Sequence, residues 1–318
     1  MQHLNRKLNS KKLYIIGNGF DLYHGIPSGY WNFREYVRQV DNYLYEELNT
    51  YFNPDDLWSD FESTLEHLDT DEIVDYAMNF LESYSHPDWS DSMHHDYQYE
   101  LERKINIVTV SLKRHFTDWI LSLEIKNHNN ASEFGLDENA RFINFNYTRT
   151  LEVIYNIPTK NIFHVHNKAI DEDSLLILGH SRNPADIASF NDVKGIEDQD
   201  VRITEGNEIL DNYFVETYKQ SEQIIDENKG YFDSLNEIEE IVIIGHSLSE
   251  VDKKYFEHIV TKINADNVTW KVSYHSKDKI EENTKLLMDC GINESLISFH
   301  PNSEIENRIN PNQIKLFE

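Results

Sequence analysis

The segment that most constrains the fold of this chain is Lys11–Tyr30, KKLYIIGNGFDLYHGIPSGY. Its apolar residues Leu13–Ile16 are typical of a buried strand, and Gly17-Asn18-Gly19 directly after them predicts a sharp turn at the strand's end. Glycines in such a turn allow positive φ and a close approach of the backbone to another group. A first strand that ends in a glycine turn is typical of nucleotide-binding α/β domains. The same turn also occurs without a ligand, so the choice depends on the rest of the chain.

Charge limits the partners of this chain. Its 318 residues include 57 acidic and 29 basic side chains, which gives a formal net charge of −28. A sequence-independent grip on DNA or RNA requires basic groups that neutralise phosphates, so we expect no direct nucleic-acid binding. We expect no membrane binding either, because no polybasic patch is present. A small anionic ligand is compatible with the sequence, since backbone amides and helix dipoles can bind one locally.

Cysteine content and apolar runs indicate the compartment. Cys290 is the only cysteine, so the chain can form neither an internal disulfide nor a cysteine-based zinc site. The initial stretch MQHLNRKLNSKK is basic but lacks the apolar core of a secretory signal, and no apolar run approaches the length of a membrane span. We therefore expect a cytoplasmic protein.

A long helical region follows the glycine turn. Between about residues 30 and 135, apolar side chains recur at three- and four-residue steps, the spacing of amphipathic helices, and no strand pattern interrupts them. The longest such series is Tyr97, Leu101, Ile105, Val108, Leu112, Phe116 and Ile120. We predict that this region is a large helical insertion, or cap, within a single α/β domain that spans residues 1–318.

The chain changes character at Arg141. Short apolar runs follow, and helical stretches separate several of them; the runs are RFINFN, IFHVHN, LLILGH, IVIIGH, VTWKVSYH and LISFH. Strands that alternate with helices predict an α/β fold with a mainly parallel sheet. In such a sheet, ligands bind beyond the carboxyl ends of the strands.

Polar residues follow four of the predicted strand ends. The segments are Gly17–Asp21, Asn144–Thr148, His164–Asn167 and Gly245–Leu248, with Asp252 shortly after the last. His164 and His166 fall on the same strand face, which would suit a shared metal, but the sequence offers no evident third ligand and we expect no metal. An asparagine such as Asn146 could instead cap the helix that follows it.

These motifs resemble those of sirtuin-like domains, in the same order along the chain. Sirtuin-like domains have a Gly-x-Gly turn followed by Gly-Ile-Pro, then an Asn-Tyr-Asp-like motif, a His-Gly strand end and a Gly-x-Ser strand end. The corresponding stretches here are GNGFDLYHGIP, FNYTRTLE, HVHN and GHSLSEVD. In particular, GNGFD, WSDFE and FNYT resemble the AbiH family of bacterial abortive-infection (phage defence) proteins, and the resemblance extends from Leu13 to Asp252.

The resemblance implies a Rossmann-like, sirtuin-like domain that binds NAD and cleaves it to nicotinamide and ADP-ribose. By motif, Asn146 would position the nicotinamide ribose and the attacking water, and His166 would be the general base. Both residue types suit these roles, since a histidine titrates near neutral pH and an asparagine offers a donor and an acceptor. The residues that the resemblance implies in binding NAD are Gly17, Asn18, Gly19, Phe20, Asp21, Pro27, Gly245, Ser247 and Asp252.

Several features depart from the sirtuin pattern, and one is the missing arginine after Gly-Ile-Pro, where Gly29 and Tyr30 stand instead. Asn167 stands where sirtuins have a glycine after the histidine, and Thr148 replaces the aspartate of Asn-Tyr-Asp. The four-cysteine zinc module of sirtuin deacetylases cannot form from Cys290 alone, which argues against protein deacetylation. The sequence does not distinguish NAD from NADP or another nucleotide as the ligand. It also does not distinguish hydrolysis from ADP-ribosyl transfer as the reaction.

The sequence is also compatible with two other functions. GHSL after a strand resembles the start of a nucleophile elbow, and Asp278 and His300 follow Ser247 in the order of a hydrolase triad, although Ser249 replaces the expected glycine. A non-catalytic nucleotide sensor with the same fold is the other alternative. Because uncontrolled NAD depletion harms the host, we also expect gating, by homo-oligomer formation or by a phage-derived trigger.

Overall fold

The computed structural model describes residues 10–128, 133–192 and 199–306. Contacts between residues divide the chain into two compact units. Unit 1 comprises Met1–Gly29, Ile120–Leu176 and Gln220–Glu318, and unit 2 comprises Tyr30–Trp119 and Ile177–Lys219. Part of the insertion predicted at 30–135, namely residues 129–132, lies outside the described residues. The single domain of residues 1–318 stays a prediction.

Unit 1 contains a six-stranded sheet in which all neighbouring strands are parallel. The strands are β1 (Lys12–Ile16), β2 (Arg141–Asn144), β3 (Ile162–His164), β4 (Glu240–Ile244), β5 (Thr269–Tyr274) and β6 (Ile297–Pro301). Their order across the sheet is β3-β2-β1-β4-β5-β6. The order reverses between β1 and β4, which makes this the switch point of the sheet. The predicted α/β fold with a mainly parallel sheet is confirmed.

The central strand β1 is apolar because both of its faces are covered. Leu13 and Ile15 belong to one apolar cluster, and Tyr14 and Ile16 belong to another. All four side chains are fully buried. A strand without polar alternation is typical of a parallel sheet with helices on both faces. Each aliphatic side chain buried in this way contributes roughly 1.5–3 kcal/mol to stability.

The described residues also form a series of α-helices. They are α1 (Asn18–Tyr23), α2 (Tyr30–Val40), α3 (Asn42–Tyr51), α4 (Pro54–Ser59), α5 (Phe61–Thr64), α6 (Thr70–Ala77), α7 (Asp96–Asn106), α8 (Leu112–Ser122), α9 (Thr150–Tyr155), α10 (Val201–Glu216), α11 (Ser221–Glu227), α12 (Lys229–Asp233), α13 (Lys253–Lys262) and α14 (Ile280–Asp289). Within the three described ranges, no helix combines the length and the apolar character that crossing a membrane requires.

The helical spacing after β1 predicts the observed elements well. The described chain between β1 and β2 forms α1 to α8 and contributes no strand to the sheet. A π-helical turn, Ile107–Ser111, joins α7 to α8, so the predicted helical series from Tyr97 to Ile120 is one run with a local bulge. Several of these helices begin behind a capping side chain that accepts a backbone N–H, such as Asp41 before α3 and Asp69 before α6.

Unit 2 has an aromatic core of its own. The Phe33 ring contacts those of Phe61, Phe116 and Trp119, with ring centres 5.7, 5.2 and 5.1 Å apart. Phe33 and Phe61 are fully buried. Aromatic pairs at such separations add to the stabilisation that burial of their area provides. The apolar residues at helical spacing therefore serve packing within this unit.

The predicted strand LLILGH is wrong. Of these residues only His180 makes a β-bridge, and its partner is Tyr218. The His180 N–H donates to the Thr217 carbonyl (2.9 Å), and the Lys219 N–H donates to the His180 carbonyl (2.8 Å). The segment after α10 therefore satisfies the backbone of His180 locally. Periodicity alone does not reveal whether a short apolar run enters a sheet.

Three glycines bring the ends of β1 and β4 into contact. The Gly17 N–H donates to the Ile244 carbonyl (3.0 Å), and the Gly19 N–H donates to the Gly245 carbonyl (2.7 Å). A Cβ atom on Gly17 would lie 2.5 Å from the His246 Cα, and one on Gly19 would lie 2.8 Å from the Gly245 Cα. Gly245 also has a φ of +66°, which disfavours a side chain. Larger residues at these positions would displace the opposite strand end.

Substitution at Gly245 tests this contact. Gly245→Ala is expected to lower the free energy of unfolding by about 2–4 kcal/mol, because the new Cβ would lie 2.2 Å from the Phe20 nitrogen at a positive φ. Gly230→Ala is the matched control, since Gly230 lies in α12 and nothing lies within 4 Å of the added Cβ. That change should stabilise the protein by about 0.5–1 kcal/mol. Urea unfolding measures both variants, and equal stabilities would contradict the packing role of Gly245.

Candidate functional site

The carboxyl ends of β1, β2, β3 and β4 lie at one edge of the sheet, because these strands are parallel neighbours. We name the residues that follow them the carboxyl-edge site: Gly17–Asp21, Asn144–Thr150, His164–Asn167 and Gly245–Asp252. The fold thus brings Asp21, Asn146 and His166 to the same edge, after three adjacent strands. Their exposed fractions are 0%, 6% and 2%, so all three are buried.

Asp21 is a buried carboxylate that hydroxyl groups contact. It lies in α1, and the Thr148 hydroxyl donates to its Oδ2 at 2.6 Å. The Thr150 hydroxyl lies 3.1 Å from that of Thr148. Burial raises the pKa of Asp21 to about 6, although hydrogen bonds, first from Thr148, act in the opposite direction. Asp21 therefore exchanges its proton close to neutral pH.

Asn146 lies on the turn after β2. Its N–H donates to the side-chain oxygen of Asn144 at 3.0 Å, which stabilises the turn. The Asn146 amide is near enough to Asp21 to lower the pKa of that carboxyl. Nevertheless, Asn146 Nδ2 and Asp21 Oδ1 are buried and have no hydrogen-bond partner among the described residues. Such atoms each cost about 1–3 kcal/mol when they lack a partner, so both could bind a polar ligand.

His164 has a structural role. Its Nε2 lies 3.1 Å from the Glu152 carboxylate, and its Nδ1 lies 3.4 Å from the Asn144 side-chain nitrogen. The Lys168 ammonium donates to the same Glu152 oxygen at 2.7 Å. Burial alone would raise the pKa of Glu152, but its hydrogen bonds with His164 and Lys168 outweigh burial and lower the pKa to about 2. This cluster connects β3 to the asparagine that supports the Asn146 turn.

His166 lies beside the carboxylate of Asp252. The distance from His166 Nε2 to Asp252 Oδ1 is 3.5 Å, and both side chains are buried. The Tyr147 ring stacks on the imidazole, with ring centres 5.8 Å apart and planes at 29°. Phe145 contacts the imidazole edge-on, at 5.6 Å. An aspartate placed in this way can determine which nitrogen of a histidine carries the proton.

His246 approaches the other oxygen of the same carboxylate. Its Nε2 lies 3.4 Å from Asp252 Oδ2, and its Nδ1 accepts the Leu248 N–H at 2.9 Å. We name His166, Asp252 and His246 the His–Asp–His cluster. It is not arranged as a metal site: across residues 10–128, 133–192 and 199–306, no three or more His, Cys, Asp or Glu side chains are placed to hold an ion.

The other residues predicted to bind NAD lie in different environments. Asn18 donates to the Ser28 carbonyl (3.0 Å) and accepts from the Ser28 hydroxyl, so it holds the loop that contains Pro27. Phe20 is fully buried in an apolar cluster. The side chains of Pro27 and Ser247 are exposed. Asn18 and Phe20 thus support the local fold, whereas Pro27 and Ser247 are accessible to a ligand.

The serine-hydrolase alternative requires hydrogen bonds that connect Ser247, Asp278 and His300. Asp278 and His300 each contact a nearby serine hydroxyl, at 2.7 and 3.0 Å. In the part of the chain that the structure describes, no hydrogen bond links Ser247 to either of them. The turn after β4 also differs from a nucleophile elbow, in which the serine is the strained residue, because here Leu248 has the positive φ (54°).

Sequence reasoning did not identify His246, Tyr147 or Thr150 as residues of the site. His246 and Tyr147 lie within the motifs GHSL and FNYT, so their positions after strands are the signal that could have identified them. Other contacts in the site do not follow from spacing, because partners such as Asp21 and Thr148 are 127 positions apart.

The fold and the site define an α/β protein with a buried polar candidate site at the carboxyl edge of a parallel sheet. A profile of the family described as bacteriophage abortive infection AbiH matches residues 13–274. The match covers most of the chain, and the protein therefore belongs to the AbiH family. Searches of curated proteins and of solved structures found no match. Family membership indicates a role in phage abortive infection.

The pH dependence of stability tests the environment of Asp21. Its pKa is about 6 in the folded protein against an ordinary value of 3.8, so the folded state binds the proton more tightly. The contribution of Asp21 to stability should therefore fall by about 2 kcal/mol as the pH rises from about 4 to about 6.5. Asp21→Asn is expected to remove this component, whereas Asp278→Asn, at an exposed aspartate, retains it. Urea midpoints across this range provide the measurement, and parallel curves for wild type and Asp21→Asn would contradict the raised pKa.

Proposed function

We propose that this protein cleaves NAD to nicotinamide and ADP-ribose in anti-phage abortive infection. The observation that carries the proposal is the burial of Asn146 and His166 at adjacent strand ends, with Asp252 beside the histidine. This arrangement supplies a general base and a side chain that both donates and accepts hydrogen bonds. We propose NAD rather than NADP as the substrate, and hydrolysis rather than ADP-ribosyl transfer as the reaction.

The strand order supports a dinucleotide ligand. The order β3-β2-β1-β4-β5-β6 is also that of doubly wound sheets that bind dinucleotides in the crevice at the switch point. In this chain, Gly17, Gly19 and Gly245 keep that point free of side chains. The amides of Gly17 and Gly19 already donate to carbonyls of Ile244 and Gly245, so these glycines would contribute close approach rather than phosphate hydrogen bonds. We therefore propose a Rossmann-like, sirtuin-like binding mode along these strand ends.

The proposed polar contacts come from two kinds of residue. Asp21 Oδ1 and Asn146 Nδ2 are buried atoms whose hydrogen-bonding capacity a ligand would satisfy. Pro27 and Ser247 are exposed, and we propose that they contact the outer part of the dinucleotide. Asn18 would act by holding the loop around Pro27.

The proposed reaction is a displacement at the anomeric carbon of the nicotinamide ribose. The carbon–nitrogen bond breaks, and its electron pair leaves with nicotinamide. A water oxygen bonds to the same carbon, and a proton of that water passes to His166. Asn146 orients the water or the ribose hydroxyls through its amide. Such a reaction passes through an oxocarbenium-like state, which favours an oriented nucleophile and a base close to neutral pH.

A nucleotide sensor without turnover is the second candidate function. It is favoured by the 3.5 Å distance between His166 Nε2 and Asp252 Oδ1, which exceeds the length of an ordinary hydrogen bond. Catalytic contacts in ligand-free enzymes are often long and shorten when the substrate binds. Turnover is therefore the property that separates the two candidates.

Constant NAD cleavage would harm the host cell, so the proposed activity requires a gate. We propose that a phage-derived trigger, or assembly into a homo-oligomer, opens it. The burial of His166 and Asn146 supports a resting site that is closed to substrate.

Nicotinamide release from NAD, by the purified protein alone and with phage lysate, tests the proposal. His166→Ala and Asn146→Ala are each expected to lower kcat about 10²–10⁴-fold, because each removes a group that acts in the transition state. His300→Ala is the matched control, since His300 lies on β6 and contacts Ser298.

Three results would count against the proposal. Equal rates for wild type and His166→Ala would exclude His166 as the base. Calorimetric binding of NAD without nicotinamide release in either condition would favour the sensor. Loss of activity in Ser247→Ala, with His166→Ala still active, would restore the serine-hydrolase alternative.

A further inference from the structure

We propose that His246 is a positioning residue that acts on His166 through the carboxylate of Asp252. The proposal rests on the function proposed above, in which His166 is the base. Its starting point is one buried carboxylate between two buried imidazoles, at 3.5 Å from His166 Nε2 and 3.4 Å from His246 Nε2. His246 and His166 face different oxygens of this carboxylate, so His246 acts through Asp252.

The backbone determines the tautomer of His246. Its Nδ1 accepts the Leu248 N–H at 2.9 Å, so the proton of the neutral ring is on Nε2. That nitrogen is the one that faces Asp252 Oδ2. His246 therefore directs an N–H group at the carboxylate.

The turn that provides this hydrogen bond has an unfavourable backbone angle. Leu248 has a φ of 54°, in the left-handed region that a leucine rarely adopts. Its side chain is buried in the same apolar cluster as Phe145 and Phe256, which holds the turn in place. Residues in such conformations are concentrated at functional sites. The strained position therefore coincides with the hydrogen bond that orients His246.

The second carboxylate oxygen transmits the orientation to His166. Asp252 precedes α13 as its N-cap residue, and the amino end of a helix favours an ionised carboxylate. His246 lies beside Oδ2 of Asp252, and Oδ1 of the same carboxylate faces His166 Nε2. An ionised Oδ1 favours the proton on Nε2 of His166, and the basic lone pair is then on Nδ1. The geometry thus assigns proton acceptance in the proposed reaction to Nδ1.

Aromatic side chains restrain both imidazole rings. Phe145 packs edge-on against His166 and His246, with ring centres 5.6 and 4.4 Å apart. Tyr147 stacks on the face of His166. These contacts limit the rotation of both rings. The titratable groups that lie against His166 include Asp252, Tyr147 and Tyr255.

Two substitutions distinguish the contact of His246 with Asp252 from its contact with the Leu248 N–H. A glutamine amide nitrogen extends to about the position of the histidine Nε2, so His246→Gln keeps a donor to Asp252. An asparagine oxygen lies near the position of Nδ1, so His246→Asn keeps an acceptor for the Leu248 N–H and loses the donor to Asp252. A role limited to the turn predicts that asparagine is the better replacement. The positioning role predicts that glutamine is better.

Long-range ¹⁵N NMR of the His166 ring reports its tautomer without any substrate. We expect wild type and His246→Gln to hold the proton on Nε2, and His246→Asn and Asp252→Asn to show a mixture of tautomers. In nicotinamide release, His246→Asn is expected to lower kcat about tenfold at an unchanged KM, whereas His246→Gln stays within about twofold of wild type.

The tautomer measurement tests the positioning role, and nicotinamide release tests the proposed function, so one can be contradicted without the other. An unchanged His166 tautomer in folded His246→Asn would overturn the positioning role of His246, whether or not NAD is cleaved. If wild type does not cleave NAD but the tautomer shifts as expected, the proposed function is lost and the positioning role stands. If the His246 variants do not fold, an unchanged His166 tautomer in Asp252→Asn would still overturn the proposal, because that variant keeps the size of the side chain and removes the carboxylate through which His246 acts.

Discussion

The contact between the ends of β1 and β4 is the constraint on which the rest of the site depends. The Gly19 N–H reaches the Gly245 carbonyl at 2.7 Å, and there is no room for a side chain on either residue. Asp21 follows Gly19 by two positions, and His246 follows Gly245 directly. The glycines therefore determine where a buried carboxylate and a buried histidine enter the carboxyl-edge site. A ligand at the switch point would approach the same bare backbone.

Two buried carboxylates near this contact have different surroundings. Asp21 receives hydrogen bonds from neutral groups, and burial raises its pKa to about 6. Asp252 lies between the imidazoles of His166 and His246, at the amino end of α13. Environments that differ in this way allow carboxyl groups in one site to have different roles. In our account, Asp21 provides a group that exchanges protons near neutral pH, and Asp252 orients the base.

The sequence predicts much of the fold because its strands are continuous apolar runs that end in polar residues. That pattern identifies β1 to β6 and the edge where the site lies. It fails for the run that ends at His180, in which only His180 makes a β-bridge, with the segment after α10 rather than with a strand of the sheet. Contacts within the site are harder to predict. The hydrogen bond of Thr148 to Asp21 joins residues 127 positions apart, and no periodicity encodes it.

A crystal structure of the His166→Ala protein with NAD would show where the dinucleotide binds. The substitution removes the proposed base while Asn146, Asp21 and the glycine contact at the switch point are retained. We expect the dinucleotide to lie across the ends of β1 and β4, with its nicotinamide ribose beside Asn146 and beside the position vacated by the histidine ring. NAD bound at another surface, with the carboxyl edge unchanged and empty, would contradict this expectation.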